Sequence, residues 1–135
     1  MATSPQYVGT IRTAAAVIST ANSNRDGTGT IGTVFTAGAS GSRIDTIVLE
    51  AQGTTTAGMI RLFIHDGTNA RLYDEIPVIA VTPSGTVPAW NATVGANAQL
   101  SALKYPLILA SGWSLRAATQ NAETFNVMVT NGGDF

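Results

Sequence analysis

The stretch from Gly58 to Val78, GMIRLFIHDGTNARLYDEIPV, limits what this chain can become more than any other. Ile60, Leu62 and Ile64 alternate with Arg61, Phe63 and His65, a period of two that belongs to a strand with unlike faces. Asp66-Gly67-Thr68-Asn69 interrupts the pattern, and the chain returns through Arg71-Leu72-Tyr73-Asp74-Glu75-Ile76. An Asp-Gly step between two such runs marks a hairpin, because glycine accepts positive φ without steric cost. The two strands are expected to be the longest of a β-sandwich, placed near mid-chain where others can be added on both sides.

The remaining segments follow the same grammar. Ala14 to Thr20 reads as a strand and Asn22 to Gly27 as a polar turn cluster. Ile31, Thr33 and Phe35 alternate with Gly32, Val34 and Thr36, and Arg43 to Gln52 is β-rich and mixed on both faces, as in a strand that turns a corner or is covered twice. Residues 79–99 contain Pro83, Gly85, Pro88 and Gly95 and read as an irregular connection. A short strand near Thr86 to Thr93 is confined by its prolines to an edge. Leu107 to Leu109 is a short apolar strand. Trp113, Leu115 and Ala117 are expected in the core against Ser114, Arg116 and Ala118. Phe125, Val127 and Val129 repeat that arrangement against Asn126, Met128 and Thr130. With about eight to ten short strands and no substantial helix, the chain reads as all-β, an antiparallel β-sandwich of jelly-roll type.

A chain of 135 residues fits one domain, assigned to residues 13–135. Residues 1–12 read either as a frayed terminus or as an arm docking on a neighbour through Tyr7, Val8 and Ile11. Only 11% of residues are charged, against roughly 25% usually, so the surface must be covered by Thr, Ser, Asn, Gln and Gly or by a partner. Disorder is excluded, since 44% of the chain is hydrophobic. The net charge of −1 and seven scattered cations supply no basic face for nucleic acid, and no apolar run is long enough for a membrane span. There is no Cys, which removes disulfides and thiolate chemistry.

Chemistry-bearing patterns are few. Gly27 to Gly32 matches GxGxxG, but a strand follows where a dinucleotide site needs a helix N-terminus. Gly53 to Gly58 lacks the Lys-Ser/Thr pair of a phosphate loop. His65 is the single histidine, at a strand end; a hydrolase built on it needs a serine within hydrogen-bond reach. Asp74 and Glu75 are adjacent on a strand and so point apart, unlike a glycosidase pair. Asp66 and Asn69 read as a plain turn rather than calcium ligands. Asn91-Ala92-Thr93 is a glycosylation sequon, uninformative without a secretory context. No catalytic residue, cofactor or metal site is assigned.

One resemblance rests on particular runs. Pro106 to Ala117 (PLILASGWSLRA), Asn121 to Val127, the ending Gly132-Gly133-Asp134-Phe135, and Gly53 to Asp66 resemble small tailed-bacteriophage capsid cement, or decoration, proteins. The resemblance covers about residues 31–135 and implies a jelly roll without catalysis or cofactor. It also implies self-association, with a homodimer favoured over a homotrimer, and clamping of major capsid protein subunits on the outer surface of a virion. Partner-binding candidates come from the residues themselves: Tyr7 on the arm, Trp90 in the proline-rich connection, and Phe135 at the end, since loop and terminal aromatics are enriched at interfaces. Trp90 reads equally as a lid over one end of the core, and Phe135 equally as a terminus docked within its own chain. Arg25 is the further candidate, with Arg116, for an acidic patch on a shell. The alternative function is a receptor- or carbohydrate-binding module of a phage fibre or spike.

Overall fold

A computed structural model describes residues 8–96, 98 and 102–135. The chain forms two antiparallel sheets packed face to face, a β-sandwich with ten strands among the described residues. In chain order these are β1 (Thr10–Ile11), β2 (Ala14–Ile18), β3 (Gly32–Thr36), β4 (Ser42–Ala51), β5 (Gly58–His65) and β6 (Ala70–Val78). They continue with β7 (Asn91–Gly95), β8 (Leu107–Leu109), β9 (Ser114–Thr119) and β10 (Phe125–Asp134). A single 3-10 turn, Ala102–Lys104, is the one helical piece among the described residues.

The larger sheet runs β1-β10-β4-β7, with β2 extending β1 along β10 and β8 extending β7 along β4. The smaller runs β3-β9-β5-β6. The hairpin forms as expected: β5 pairs β6 from Gly58↔Val78 to His65↔Ala70, and Gly67 takes φ 97 in its turn. It is not the longest pair. β4 and β10, ten residues each, are longer than β5 and β6 at eight and nine. β10 gains its length by running through Asn131-Gly132-Gly133, which pair with Thr46, Ile44 and Arg43 across two register shifts.

Alternation sets the core. Ile47 and Leu49 on β4, Phe125, Val127 and Val129 on β10, Ile60 and Leu62 on β5, and Leu115 and Ala117 on β9 are almost wholly buried between the sheets. Each fully buried large apolar side chain contributes roughly 1.5–3 kcal/mol relative to exposure. Val34 and Phe35 are consecutive yet both buried, because a register shift between Thr33 and Phe35 lets neighbours turn inward.

The two sheets differ on their outer faces. On the smaller, Arg61, Phe63, Ser114 and Ala118 are buried although they alternate with core residues. Residues 20–31 fold back over that face: Asn22 N–H donates to Thr119 O at 2.8 Å, and Arg25 Nε reaches Glu75 Oε2 at 2.8 Å. The larger sheet leaves its outer face open, with Ile11, Val17 and Ile108 exposed and Met128 and Val48 half-buried. The domain boundary placed at residue 13 is not a break in the sheet, since β1 already pairs with Gly133 and Asp134.

Candidate partner-binding surface

Large aromatic side chains reach the surface at one end of the sandwich. β9 begins at Ser114, so Trp113 precedes the strand in a turn closed by its own N–H donating to Ala110 O at 3.1 Å. Trp113 is 39% exposed, which corrects its expected core position: the sequence alternation runs one residue beyond the strand. Trp113 O accepts from Ala37 N–H at 2.9 Å. Phe135, 49% exposed, donates its N–H to Gly41 O at 3.1 Å. Gly41 N–H bonds Gly38 O, so the two aromatics flank the same 37–41 turn.

Beneath them the backbone is firmly held. Asp134 accepts from Ser42 Oγ at 2.5 Å and from Arg12 Nη1 at 2.8 Å. The same Arg12 atom donates to Thr36 O, and the guanidinium lies 4.2 Å from the centre of the Phe35 ring. The Ser42 hydroxyl first, and the Arg12 charge after it, hold the Asp134 carboxyl below the usual carboxylate range. Aromatics fixed on such a frame lose little freedom on docking.

The other candidates fall elsewhere. Tyr7 lies outside the described residues. Trp90 is a core residue, 7% exposed, packed edge-on against Phe125 with ring centres 5.7 Å apart. Its carbonyl is tied to Ala51 N–H, so Trp90 takes the lid position at the opposite end of the core. Arg25 is exposed but paired to Glu75, and Arg116 Nε donates to Ser114 Oγ at 3.1 Å. Trp113 is the surface aromatic that sequence reasoning missed. The Ser111-Gly112 turn signal just before it was the available clue.

A polar cleft of about 240 Å³ opens between residues 26–31 and the hairpin turn, lined by Asp26, His65, Asn69, Arg71 and Arg116 among others. Its geometry is that of turns. Asp66 Oδ1 accepts from Thr68 and Asn69 N–H, and Asp26 Oδ1 accepts from the Thr28 hydroxyl and N–H. These bonds hold both carboxyls below their ordinary range. His65 Nδ1 accepts from Gly67 N–H, while Ser114, its cross-strand neighbour, receives Arg116. No hydrogen bond joins that serine to the imidazole among the described residues, nor do three His, Cys, Asp or Glu gather there as metal ligands.

The covering segment hangs on Asn22, 6% exposed, whose amide donates to Thr28 O and Thr30 O at 3.0 Å each and accepts Asn24 N–H. Asn22→Ala is expected to cost about 1–2 kcal/mol by orphaning those groups. It should also speed tryptic cleavage after Arg25 severalfold in native buffer; unchanged cleavage would show that Asn22 does not fasten the segment.

No family model matches this chain, and no curated protein or solved structure shows significant similarity to it.

Proposed function

We propose that this chain is a non-enzymatic capsid cement protein that binds the outer surface of a phage icosahedral shell and bridges neighbouring major capsid subunits. In this reading self-association, as a homodimer, lets one particle of cement hold several subunits against the pressure of packaged DNA. The observation that carries it is the pair Trp113 and Phe135, presented half-exposed on a rigid strand framework. Aromatic anchors on a preorganised surface are what a docking protein needs, and repetition around a closed shell multiplies modest contacts. The likeness of Pro106 to Ala117 and Asn121 to Val127 to decoration proteins points the same way. The jelly-roll form of the sandwich is supported by strand order: β2-β10-β4-β7 faces β3-β9-β5-β6, so the chain crosses between sheets at each step from β2 to β5 and from β8 to β10, while β5 and β6 stay together as a hairpin.

Co-sedimentation with shells stripped of their own cement tests this. Saturable binding to shells and none to free capsid subunits is expected, because the site spans subunit joints. Trp113→Ala should weaken binding by about 30-fold, the loss of a hot spot worth roughly 2 kcal/mol. No binding to shells at micromolar protein would sink the proposal. The polar cleft beside Asp26 and Asn69 favours the second reading, a glycan-binding module, and glycan screening would then decide it.

A further inference from the structure

We propose that two copies of this chain join edge to edge through β2, in an antiparallel ladder whose twofold axis passes beside Ala16. This names the surface for the self-association in the proposed function and rests on that part of it alone.

The argument begins with which backbone groups are free. Gln52 N–H donates to Thr124 O, just beyond the pair Ala51↔Phe125. Hydrogen-bonded and non-bonded positions alternate along an antiparallel ladder. Asn126 and Met128 therefore turn their backbone groups toward β4, while Phe125, Val127 and Val129 turn theirs toward β2. Their partners Ile18, Ala16 and Ala14 are thereby consumed. Ala15 and Val17 then point their N–H and C=O groups away from the sheet, and the strand they face is absent among the described residues.

An open edge is normally protected by charge, proline, a bulge or shortness. Three of the other outermost strands carry such devices: Pro77, Arg71 and Glu75 on β6, a register shift in β3, and only three residues in β8. β7, at the far end of the same sheet, is uncharged too, but its exposed positions are the polar Asn91 and Thr93. β2 reads Ala-Ala-Ala-Val-Ile, uncharged and in unbroken register with β10. Among the described strands it is the edge that is both unguarded and wholly apolar.

Its sequence is complementary to itself. With Ala16 opposite Ala16 of a second copy, Ala15 faces Val17 and Ala14 faces Ile18, so every large side chain meets a small one. The register also agrees with the free groups. Ala15 and Val17 fall at hydrogen-bonded positions, and the two Ala16 residues fall at the close non-bonded position, where α-carbons approach to about 4.5 Å. On the open outer face a shallow groove of about 340 Å³ is lined by Ala15, Met128 and Thr130 among others. Val17 of the second copy, standing opposite Ala15, fills it, and its own 60% exposure disappears. The contact is isologous and closes as a dimer.

Sedimentation velocity, without shells, should give twice the 13.9 kDa chain mass at micromolar concentration. Val17→Pro removes an N–H that β10 does not use and should give a monomer with unchanged far-ultraviolet circular dichroism. If that variant fails to fold, Val17→Lys makes the same test by charge. Ala16→Cys, in a chain with no other cysteine, should oxidise to a covalent dimer, whereas Val17→Cys should not, because position 17 faces position 15. A wild-type monomer, a dimer surviving both Val17 variants, or cross-linking through position 17 instead of 16 overturns the proposal. Since no shell enters these measurements, their failure leaves shell binding standing.

Discussion

Gly95→Ala is expected to lose about 4 kcal/mol of folding stability, combining backbone strain with an overlap that cannot relax. Gly95 ends β7 opposite Thr46, at φ 151, where Ala96 N–H bonds Asp45 O. A methyl group there would lie 2.1 Å from Asp45 O and 2.8 Å from Thr46 Cα. Both neighbours are main-chain atoms of the central strand β4, so no rotamer change makes room. Either β7 peels from β4, exposing Val94 and the Trp90 lid, or β4 shifts against β10. Gly67→Ala separates the two contributions. Gly67 also has positive φ, but nothing lies within 4 Å of an added Cβ, so only the left-handed penalty of about 1–2 kcal/mol applies. Gly53→Ala, with open space and no positive φ, should be near neutral. Urea unfolding of the three variants checks the order, and equal losses at positions 95 and 67 would refute the overlap argument.

Position 95 also shows what the sequence reading reached and what it did not. The gap between Pro83 and Gly95 was legible as an edge connection, yet the strand forms at Asn91–Gly95, later than the Thr86 to Thr93 expected. The reason is pairing: Val94 and Ala92 are placed by Ile47 and Leu49 of β4, a contact that no local pattern carries. The pairing of the hairpin from Gly58 was legible because alternation and turn chemistry both reside in the segment itself; its rank by length and the register shift between Leu62 and Phe63 were not. β10 runs beyond the alternation that ends at Thr130, because β4 and β1 hold Asn131-Gly132-Gly133 as a strand and no pattern within those residues announces it. The alternation of Leu115 and Ala117 continues in the sequence to Trp113, one residue before the strand begins at Ser114. Most opaque was the second covering of the β5 face. Nothing in Arg25 or Asn22 indicates that residues 20–31 would lie over Arg61 and Phe63. Local residues encode strands and turns; which face is covered twice is decided by distant ones.

That covered face carries the next largest expected effect. Arg61 is 2% exposed, and its Nε donates to Glu75 Oε2 at 2.9 Å while Nη2 donates to Gln120 Oε1 at 3.0 Å. Nη1 has no partner among the described residues. Removing the carboxylate by Glu75→Ala leaves a guanidinium buried without a counter-charge. The expected cost is about 2–3 kcal/mol, below the range for wholly buried pairs because the Glu75 side chain is 29% exposed. Arg25→Ala breaks a bond to the same oxygen, yet Arg25 is 59% exposed, so its loss should stay under about 1 kcal/mol. Equal losses would mean that water reaches Arg61 and the burial argument fails. The pH dependence follows with a definite sign. Arg25 and then Arg61 hold Glu75 below its ordinary range, so the folded state binds its proton less readily than the unfolded chain. The stabilisation is complete above the unfolded glutamate value of about 4.3 and disappears as pH falls through the lower folded value. Asp134, Asp26 and Asp66, also held low, add the same trend near and below pH 4. Thermal unfolding followed from pH 7 to pH 3 should therefore fall more steeply for the wild type than for Glu75→Gln, which keeps a hydrogen bond to Arg61 but no longer titrates. Parallel curves would remove Glu75 from the acid response and leave the three aspartates to account for it.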